Sequence, residues 1–415
     1  MQKEKLVPKR RFYDFIDKWK KYKLKELVEL ENGYAFKSKY FQSNITKEIV
    51  LTPGNIKVGG GFQKGKGHYY ANEEYPIKKI MNPGDIFVTM TDLTPTAQTL
   101  GFPAIIPDDG NNYLHNQRLG KLLNYNLDKN YLFNLLCTKN YHSQIVNNAS
   151  GTTVKHTSPD RILNSTVSIP QIKEQQKIGQ FFKNLDEMIA LEQRKIDKTK
   201  SLKSAYLAEM FPAEGERVPK RRFEGFADEW EKVKLGKKYE FFKGKGLPLN
   251  SFYEGSENPS IAYGHLYTKY SEIIKNVHLS SEDEGVLSKR GDILFPGSST
   301  VPNGTAQSNA IMLDDIQLGG DIIIGRNYKN DVYTPFLSYQ INSKKEKMYP
   351  IITGTTITHM YSKDLEKLKY SFPSFDEQVK ISKFFESLDH LVIFHQQKLD
   401  KLKATKQAYL HEMFV

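Results

Sequence analysis

The chain has 415 residues, of which 39% are hydrophobic and 26% are charged, and its formal net charge is +12. This composition excludes a largely disordered chain, and the length allows two or more domains, because single cores stop growing near roughly 250–300 residues. The positive charge, together with 24 Tyr and 24 Phe, favours a polyanionic partner such as nucleic acid.

The single cysteine, Cys137, excludes an internal disulfide and a cysteine-based metal site, which favours a reducing compartment. The N-terminus lacks an apolar signal core, and no apolar run approaches the roughly 18 residues that a membrane helix needs. We therefore expect a cytoplasmic protein with no membrane partner.

The chain is an internal repeat. Val7–Phe12 returns unchanged at Val218–Phe223, 211 positions later. Landmarks at the back of the first copy recur after 203 positions, including Glu174-Gln175, Phe181-Phe182, Leu185-Asp186, Tyr206-Leu207 and Glu209-Met210-Phe211. The two copies therefore share their ends and differ in their middles.

In chain order, the repeat predicts six segments. They are an N-terminal segment (1–19), a first mixed α/β domain (20–170), a central long helix (171–212), a linker that repeats the N-terminal segment (213–231), a second mixed α/β domain (232–373) and a C-terminal long helix (374–415). Trp19 and Trp230, which are duplicated, are interpreted as core anchors at the entrance of each domain.

The two α/β domains are expected to be rich in short strands and loops. Gly84-Asp85-Ile86 and Gly291-Asp292-Ile293 predict a turn into a buried strand in each copy. Gly151-Thr152-Thr153 and Gly354-Thr355-Thr356 form a second shared landmark, each followed by a histidine, His156 or His359. A structural role for these histidines is favoured over catalysis or a DNA contact.

Each long helix carries an apolar stripe at three- and four-residue steps, for example Ile178, Phe182 and Leu185. A helix of about 35–40 residues needs a partner for such a stripe, and the other copy is the favoured partner. Polar residues interrupt both stripes at equivalent places, Glu192 with His395 and Lys203 with Lys406, which is typical of seams whose register must be fixed.

The chemistry of common active sites is missing from the sequence. Gly60–Gly67 imitates a phosphate-binding loop, but Gly67 stands where Ser or Thr would hold magnesium, and no helix pattern follows. No adenine-methyltransferase tetrapeptide and no H-E-x-x-H zinc motif occurs. These absences predict a DNA reader without catalytic residues or a metal of its own.

Several motifs resemble the specificity subunit of type I restriction-modification systems. They are Ile169-Pro170 with Glu174-Gln175 and a long helix that ends in Glu-Met-Phe, the openings Arg11–Leu24 and Arg222–Leu235, and Gly33–Ser38. The second copy departs from the pattern at Phe372, before Pro373.

The repeat and the resemblance together predict an α+β fold with two pseudo-repeated target-recognition domains, separated by two long antiparallel coiled-coil helices in a pseudo-two-fold, circular layout. Each domain would read one half of a bipartite asymmetric site in double-stranded DNA. The helices would set the spacing and dock two methyltransferase subunits, and restriction/translocase subunits would join indirectly. S-adenosylmethionine, ATP and Mg would belong to those partners, with no cofactor in this chain.

The candidate DNA-binding residues are polar or basic residues of loops, because such side chains contact phosphates and base edges. In the first domain they are Lys37, Lys57, Lys64, Lys66, Thr91 and Arg118. In the second domain they are Lys243, Lys245, Lys269, Ser298, Ser299, Thr300 and Asn303.

Two other classes of function stay open at this point. One is a self-contained DNA methyltransferase or nuclease with an unrecognised active site. The other is a structural scaffold that does not bind nucleic acid.

Overall fold

The computed structural model describes residues 6–71, 74–301 and 303–415, so the first five residues of the predicted N-terminal segment lie outside the described part. The chain divides into two compact units. The first unit contains the described residues up to Gln193 together with Gln397–Val415, and the second unit contains Arg194–Gln396. Each unit therefore combines a mixed α/β body with a stretch of each long helix.

The first unit consists of short strands and helices joined by loops. Its strands are β1 (Lys20–Lys23), β2 (Glu29–Asn32), β3 (Phe41–Gln42), β4 (Glu48–Val50), β5 (His68–Tyr70), β6 (Ile80–Met81), β7 (Ile86–Thr89), β8 (Thr91–Asp92), β9 (Pro103–Ile105), β10 (Asn112–Leu114), β11 (Leu119–Leu123), β12 (Lys155–His156) and β13 (Thr166–Ile169). Its helices are α1 (Lys129–Leu136), α2 (Lys139–Asn147), α3 (Pro159–Leu163) and the first part of α4 (Ile172–Met210).

The core of the first unit lies between a four-stranded antiparallel sheet and the helices. The sheet has the strand order β2-β11-β7-β9, and all four residues of the inner strand β7 are buried. Trp19 is 1% exposed, and its ring meets Tyr131 of α1. A five-stranded sheet, β3-β5-β4-β10-β6, completes the unit. The predicted turn into β7 is confirmed, with Gly84 at φ 88°.

The second unit repeats this plan. Its strands are β14 (Glu231–Lys234), β15 (Glu240–Lys243), β16 (Phe252–Glu254), β17 (Pro259–Ile261), β18 (Ile273–Ile274), β19 (Leu279–Ser281), β20 (Val286–Leu287), β21 (Asp292–Pro296), β22 (Ser298–Ser299), β23 (Asn309–Ile311), β24 (Gln317–Leu318), β25 (Ile322–Arg326), β26 (Thr358–His359) and β27 (Lys369–Phe372). Its helices are α5 (His265–Thr268), α6 (Thr334–Ser343), α7 (Ser362–Leu365) and the first part of α8 (Phe375–Glu412).

Two five-stranded sheets form the second unit, with the orders β15-β25-β21-β23-β18 and β16-β19-β17-β24-β20. Small two-stranded pairings recur in both units: β1 with β13 and β14 with β27, β8 with β12 and β22 with β26. Trp230 is also 1% exposed, so the prediction of two core anchors is confirmed.

The long helices are each continuous, with 39 residues in α4 and 38 in α8. In the first unit they run antiparallel, because Asp186 binds Lys406 at 2.6 Å while Glu192, further along α4, binds Lys398 at 2.9 Å. In the second unit, Lys203 binds Asp389 at 2.6 Å. Glu192, Lys203 and Lys406 interrupt the apolar stripes, as the sequence predicts, and each has an ion-pair partner.

The entrance of each unit is fastened to its helices by matching contacts. The guanidinium of Arg11 donates two hydrogen bonds of 2.7 Å to Glu174 at the start of α4, and Arg222 does the same to Glu377 at the start of α8. The backbone N–H of Arg10 donates to the carbonyl of Glu412 near the chain's C-terminus.

The same junction occurs in the second unit, where the N–H of Arg221 donates to the carbonyl of Glu209. The predicted α+β fold, with two repeated units, long antiparallel helices and a circular layout, is confirmed. No helix of the described residues is long and apolar enough to cross a membrane.

Candidate nucleic-acid interface

In the first unit, several polar residues meet at the end of β7. There β8 pairs with β12, which sets Thr91 opposite His156, and the Thr91 hydroxyl lies 3.2 Å from Nδ1 of His156. The N–H of Met90 donates to the carbonyl of Arg118 at 2.9 Å, so Arg118 is adjacent to the same strand end. We call this group, Thr91, Arg118 and His156, the first strand-end cluster.

The loop after β8 is held by one buried carboxylate. Asp92 accepts hydrogen bonds from the N–H and hydroxyl of both Thr94 and Thr99, at 2.6–2.7 Å. Burial alone would raise the pKa of Asp92, but these hydrogen bonds hold the pKa below its usual value. Asp92 therefore fixes the conformation of the loop between Leu93 and Leu100.

The second unit places different residues at the equivalent strand end. Pairing of β22 with β26 sets Ser298 opposite His359, and the Ser298 hydroxyl donates to Asp321 at 3.4 Å. The Ser299 hydroxyl accepts the N–H of Val301 at 3.0 Å. We call Ser298, Ser299 and His359 the second strand-end cluster. The loop that follows contains Asn303 at φ 59°, in the left-handed region.

A glycine brings a further chain segment to each strand-end cluster. A Cβ at Gly33 would overlap the carbonyl of Asn116, and a Cβ at Gly244 would overlap that of Gly319, so both positions require glycine. The N–H of Lys245, next to Gly244, donates to Leu318 at 3.2 Å.

These close approaches explain where three of the predicted lysines lie. Lys243 and Lys245 are exposed beside the turn that contains Asp321, and thus near Ser298. Lys37 is exposed four residues after Gly33.

Lys57, Lys64 and Lys66 lie on another surface of the first unit. Their loop packs against β9 and the residue that follows α1, because the N–H of Gly61 donates to the carbonyl of Pro103 and a Cβ at Gly60 would overlap the sulfur of Cys137. All three lysines are exposed, and Lys64 pairs with Asp109 at 2.8 Å. A strand, β5, follows this loop, whereas a phosphate-binding loop leads into a helix.

In the second unit, Lys269 follows α5 and lines a cleft of about 640 Å³ beside α8. It is exposed, as are Thr300 and Asn303 in the loop after β22. Among the described residues, no group of three or more His, Cys, Asp or Glu is arranged to hold a metal ion.

The candidate residues divide by accessibility. The basic candidates, with Thr300 and Asn303, are exposed and accessible to a polyanion. Thr91, Ser298 and Ser299 are 5%, 8% and 1% exposed, and their hydroxyls make hydrogen bonds inside the protein. These three side chains position the neighbouring loops in this structure.

Sequence reasoning missed Asp92 as a site residue, because only its four hydrogen bonds show that it organises a loop. It also interpreted the two Gly-Thr-Thr stretches only as fold landmarks. In both units their threonines, Thr152, Thr153, Thr355 and Thr356, are exposed. Their identity in the two copies was the available signal.

Comparisons with known proteins agree with the repeat. A family model described as "Type I restriction modification DNA specificity domain" matches residues 16–201 and 227–404. The chain is 21% identical over 250 residues to the "Putative type I restriction enzyme MjaX specificity subunit" of Methanocaldococcus jannaschii, which covers 59% of this chain and 57% of that protein. It is 25% identical over 190 residues to the "Type I restriction enzyme MjaVIII specificity subunit" of the same organism. That match covers 44% of this chain and 43% of that protein.

The chain thus spans about half the length of the curated relatives that it matches. Among solved structures, the S subunit of a type I restriction-modification system from M. genitalium has a TM-score of 0.64 at 17% identity, with 99% of each chain covered. A second structure, described as showing complex assembly and conformational transition of the type I R-M system, has a TM-score of 0.52 at 17% identity. The match covers 94% of this chain and 96% of that chain.

At these identities the structural matches show a common fold. The family model covers most of both repeats. The chain therefore belongs to the type I restriction modification DNA specificity domain family.

Proposed function

We propose that the chain is the non-catalytic DNA-specificity subunit of a type I restriction-modification complex, and that each unit reads one half of a bipartite asymmetric site in double-stranded DNA. One observation carries the proposal. The two units place unlike loops, 93–100 in the first and the described residues of 300–306 in the second, at the same position of a shared strand pairing, β8 with β12 and β22 with β26. Unlike loops on a repeated frame fit two unlike half-sites.

The exposed lysines and Arg118 would supply affinity through phosphates, and the unlike loops would supply sequence discrimination. Of the candidate residues, Arg118, Lys243, Lys245, Thr300 and Asn303 lie on or near this part of their units, and Lys37 is exposed four residues after Gly33. Lys57, Lys64, Lys66 and Lys269 would extend the basic surface beyond it.

The long helices offer matching apolar patches for two methyltransferase subunits. Met188 and Leu191 of α4 are 45% and 46% exposed, and their counterparts on α8, Leu391 and Phe394, are 46% and 58% exposed. Each pair is spaced three residues apart and lies on one helix face. A patch that occurs twice, 203 positions apart, fits two copies of one partner.

Those methyltransferase subunits would bring S-adenosylmethionine, and restriction/translocase subunits that join indirectly would use ATP and Mg. The residues of this chain would choose the DNA site at which the partners act.

The decisive experiment maps methylated adenines in DNA from cells that express the chain with its methyltransferase partner. We expect methylation at one bipartite sequence, and none when the chain is omitted. The matched variant replaces the exposed loop residues Leu93, Thr96 and Gln98 with Ser. It keeps the contacts of Thr94 and Thr99 with Asp92, and it should alter only one half of the recognised sequence.

Other outcomes would contradict the proposal. Methylation or cleavage of DNA by the purified chain alone, with Mg²⁺ and S-adenosylmethionine, would favour a self-contained enzyme. Failure to shift duplex DNA in the presence of the partner would favour a scaffold.

A further inference from the structure

An exposed hairpin recurs in each unit. In the first unit, Ser150 and His156 exchange two backbone hydrogen bonds of 2.9 Å, and in the second unit Thr353 and His359 do so at 3.0 and 2.7 Å. We call the residues between these pairs the hairpin tips. Both tips begin Gly-Thr-Thr.

Each hairpin tip has one fixed shape. Gly151 and Gly354 have φ values of 93° and 95°, in the region that favours glycine. A Cβ at Gly151 would overlap the carbonyl oxygen of Val154, and a Cβ at Gly354 would overlap that of Ile357. The geometry of the tip is thus the same in both units.

The hairpin tips carry hydrogen-bond donors that the protein does not use. Among the described residues, neither the N–H groups nor the hydroxyls of Thr152, Thr153, Thr355 and Thr356 make a hydrogen bond within the chain. All four threonines are exposed. Adjacent N–H groups and hydroxyls on a fixed turn are donors of the kind that bind phosphate oxygens.

The hairpins lie directly beside the loops that differ between the units. The backbone N–H of Thr157 donates to the carbonyl of Met90, and the backbone N–H of Met360 donates to the carbonyl of Gly297, each at 3.0 Å. These bonds connect each hairpin to the strand end at which the unlike loop begins. In the first unit, Arg161 also donates to Ser150 at 3.1 Å, which adds a positive charge next to the hairpin.

We infer that the two hairpin tips bind the sugar–phosphate backbone of DNA at equivalent places in the two half-sites, while the unlike loops read the bases. This inference rests on the proposed function and deepens it. The sugar–phosphate backbone is the part of the two half-sites that does not depend on sequence. An exposed element that begins Gly-Thr-Thr and has the same turn geometry in both units fits that part.

The test uses the full chain with its methyltransferase partner, a duplex that contains the mapped site and an unrelated duplex of equal length. Thr152→Ala with Thr153→Ala should weaken binding to both duplexes by the same factor, roughly three- to tenfold for each neutral hydrogen bond lost. The ratio of the two affinities should not change. Thr152→Ser with Thr153→Ser, which keeps both hydroxyls, is the matched control and should bind as the original chain does.

The contacted phosphate is located with duplexes that carry one neutral methylphosphonate at successive positions. At the contacted position, the methylphosphonate should weaken binding by the original chain. The same methylphosphonate should have little effect on binding by the Thr152→Ala, Thr153→Ala variant, which has already lost that contact, as expected for coupled partners. Thr355→Ala with Thr356→Ala should give the same result in the other half-site. Gly151→Ala, which must displace the tip, should weaken binding further.

Each contrary result has a separate meaning. Unchanged affinity of the alanine variants, with site-specific methylation intact, would overturn the hairpin inference and leave the proposed function standing. Loss of the methyltransferase on co-purification would assign the tips to the protein partner and overturn the inference. Absence of DNA binding by the original complex would overturn both.

Discussion

At the scale of single residues, the chain uses the same ion pair twice to close its two units. Arg11 and Glu174 have side-chain exposures of 11% and 1%, and Arg222 and Glu377 have 12% and 0%. Buried guanidinium–carboxylate pairs with two hydrogen bonds are geometrically demanding. They fix the position of each entrance segment on the helix that follows its unit.

Replacing Glu174 with Ala should destabilise the chain by about 3 kcal/mol or more, because it leaves a largely buried guanidinium without its partner. The measurement is the urea midpoint of unfolding. Glu209→Ala, which breaks the exposed pair with Arg221, is the matched control and should change the midpoint far less. Equal shifts of the urea midpoint in the two variants would show that the buried Arg11–Glu174 pair contributes no more stability than the exposed pair.

Asp92 makes stability depend on pH. Its pKa is lower in the folded chain than the unfolded value of about 3.9. Its contribution is therefore complete above that value, and it is lost as the pH falls through the folded pKa. Asp92→Asn should cost roughly 2 kcal/mol at pH 7, because Thr94 and Thr99 lose charged acceptors.

The free energy of unfolding, measured in urea at pH 7, 5 and 3, tests this expectation. The difference between the original chain and Asp92→Asn should be similar at pH 7 and 5 and smaller at pH 3. A difference that is the same at all three values would contradict a role for the Asp92 charge.

At the scale of elements, the long helices determine two separate properties. Their ion pairs, such as Lys203 with Asp389 and Lys406 with Asp186, occupy the polar positions of each seam and fix its register. Their outer faces carry the apolar pairs proposed to bind methyltransferases. Changes to length and changes to the outer face should therefore have different effects.

Inserting seven residues into α4 after Gln193 and seven into α8 after Gln396 preserves the seam pattern and adds about 10 Å of helix. Under the proposed function, the gap between the half-sites should grow by roughly three base pairs, at 3.4 Å each. Mapping of methylated adenines measures the gap. A seven-residue insertion in α4 alone is the control, and it should abolish methylation because the stripes no longer match. An unchanged gap would show that the helices do not set the spacing.

Under the proposed function, replacing Met188 and Leu191 with Ser should remove one of the two proposed methyltransferase copies from the purified complex, because both apolar contacts on that helix face are lost. Leu391→Ser with Phe394→Ser should remove the other copy. Native mass spectrometry counts the copies. If a variant with all four replacements (Met188, Leu191, Leu391 and Phe394 to Ser) kept both copies, these helix faces would not be the binding surface.

At the scale of the whole molecule, the segment around Arg10 meets the end of α8 within the first unit, as the internal linker meets the end of α4 in the second unit. Arg10 contacts Glu412, and Arg221 contacts Glu209. A permuted chain that links Leu6 to Val415 and opens at Gly215, in an exposed turn after α4, should therefore fold and, under the proposed function, keep its DNA specificity. Circular dichroism and methylation mapping test this, and failure to fold would contradict the equivalence of the two junctions.

The repeat was predictable from sequence because identical motifs at offsets of 211 and 203 mark equivalent places, and helix periodicity persisted over both long stretches. The site was less accessible to sequence reasoning. Thr91 and Ser299 are polar residues in loop-like sequence, yet strand pairing buries them. The roles of Asp92 and of the hairpin tips depend on contacts between segments that are separated in the sequence. A local sequence pattern does not predict such contacts.

The division of the chain into units has a consequence for the order in which it is made. The second unit is one uninterrupted stretch, Arg194–Gln396, whereas the first unit requires Gln397–Val415. Leu410, Met413 and Phe414 from that stretch belong to the same core as Trp19. Of the two units, the one whose residues leave the ribosome earlier is thus the later to complete its core, and loss of Gln397–Val415 would damage that earlier half.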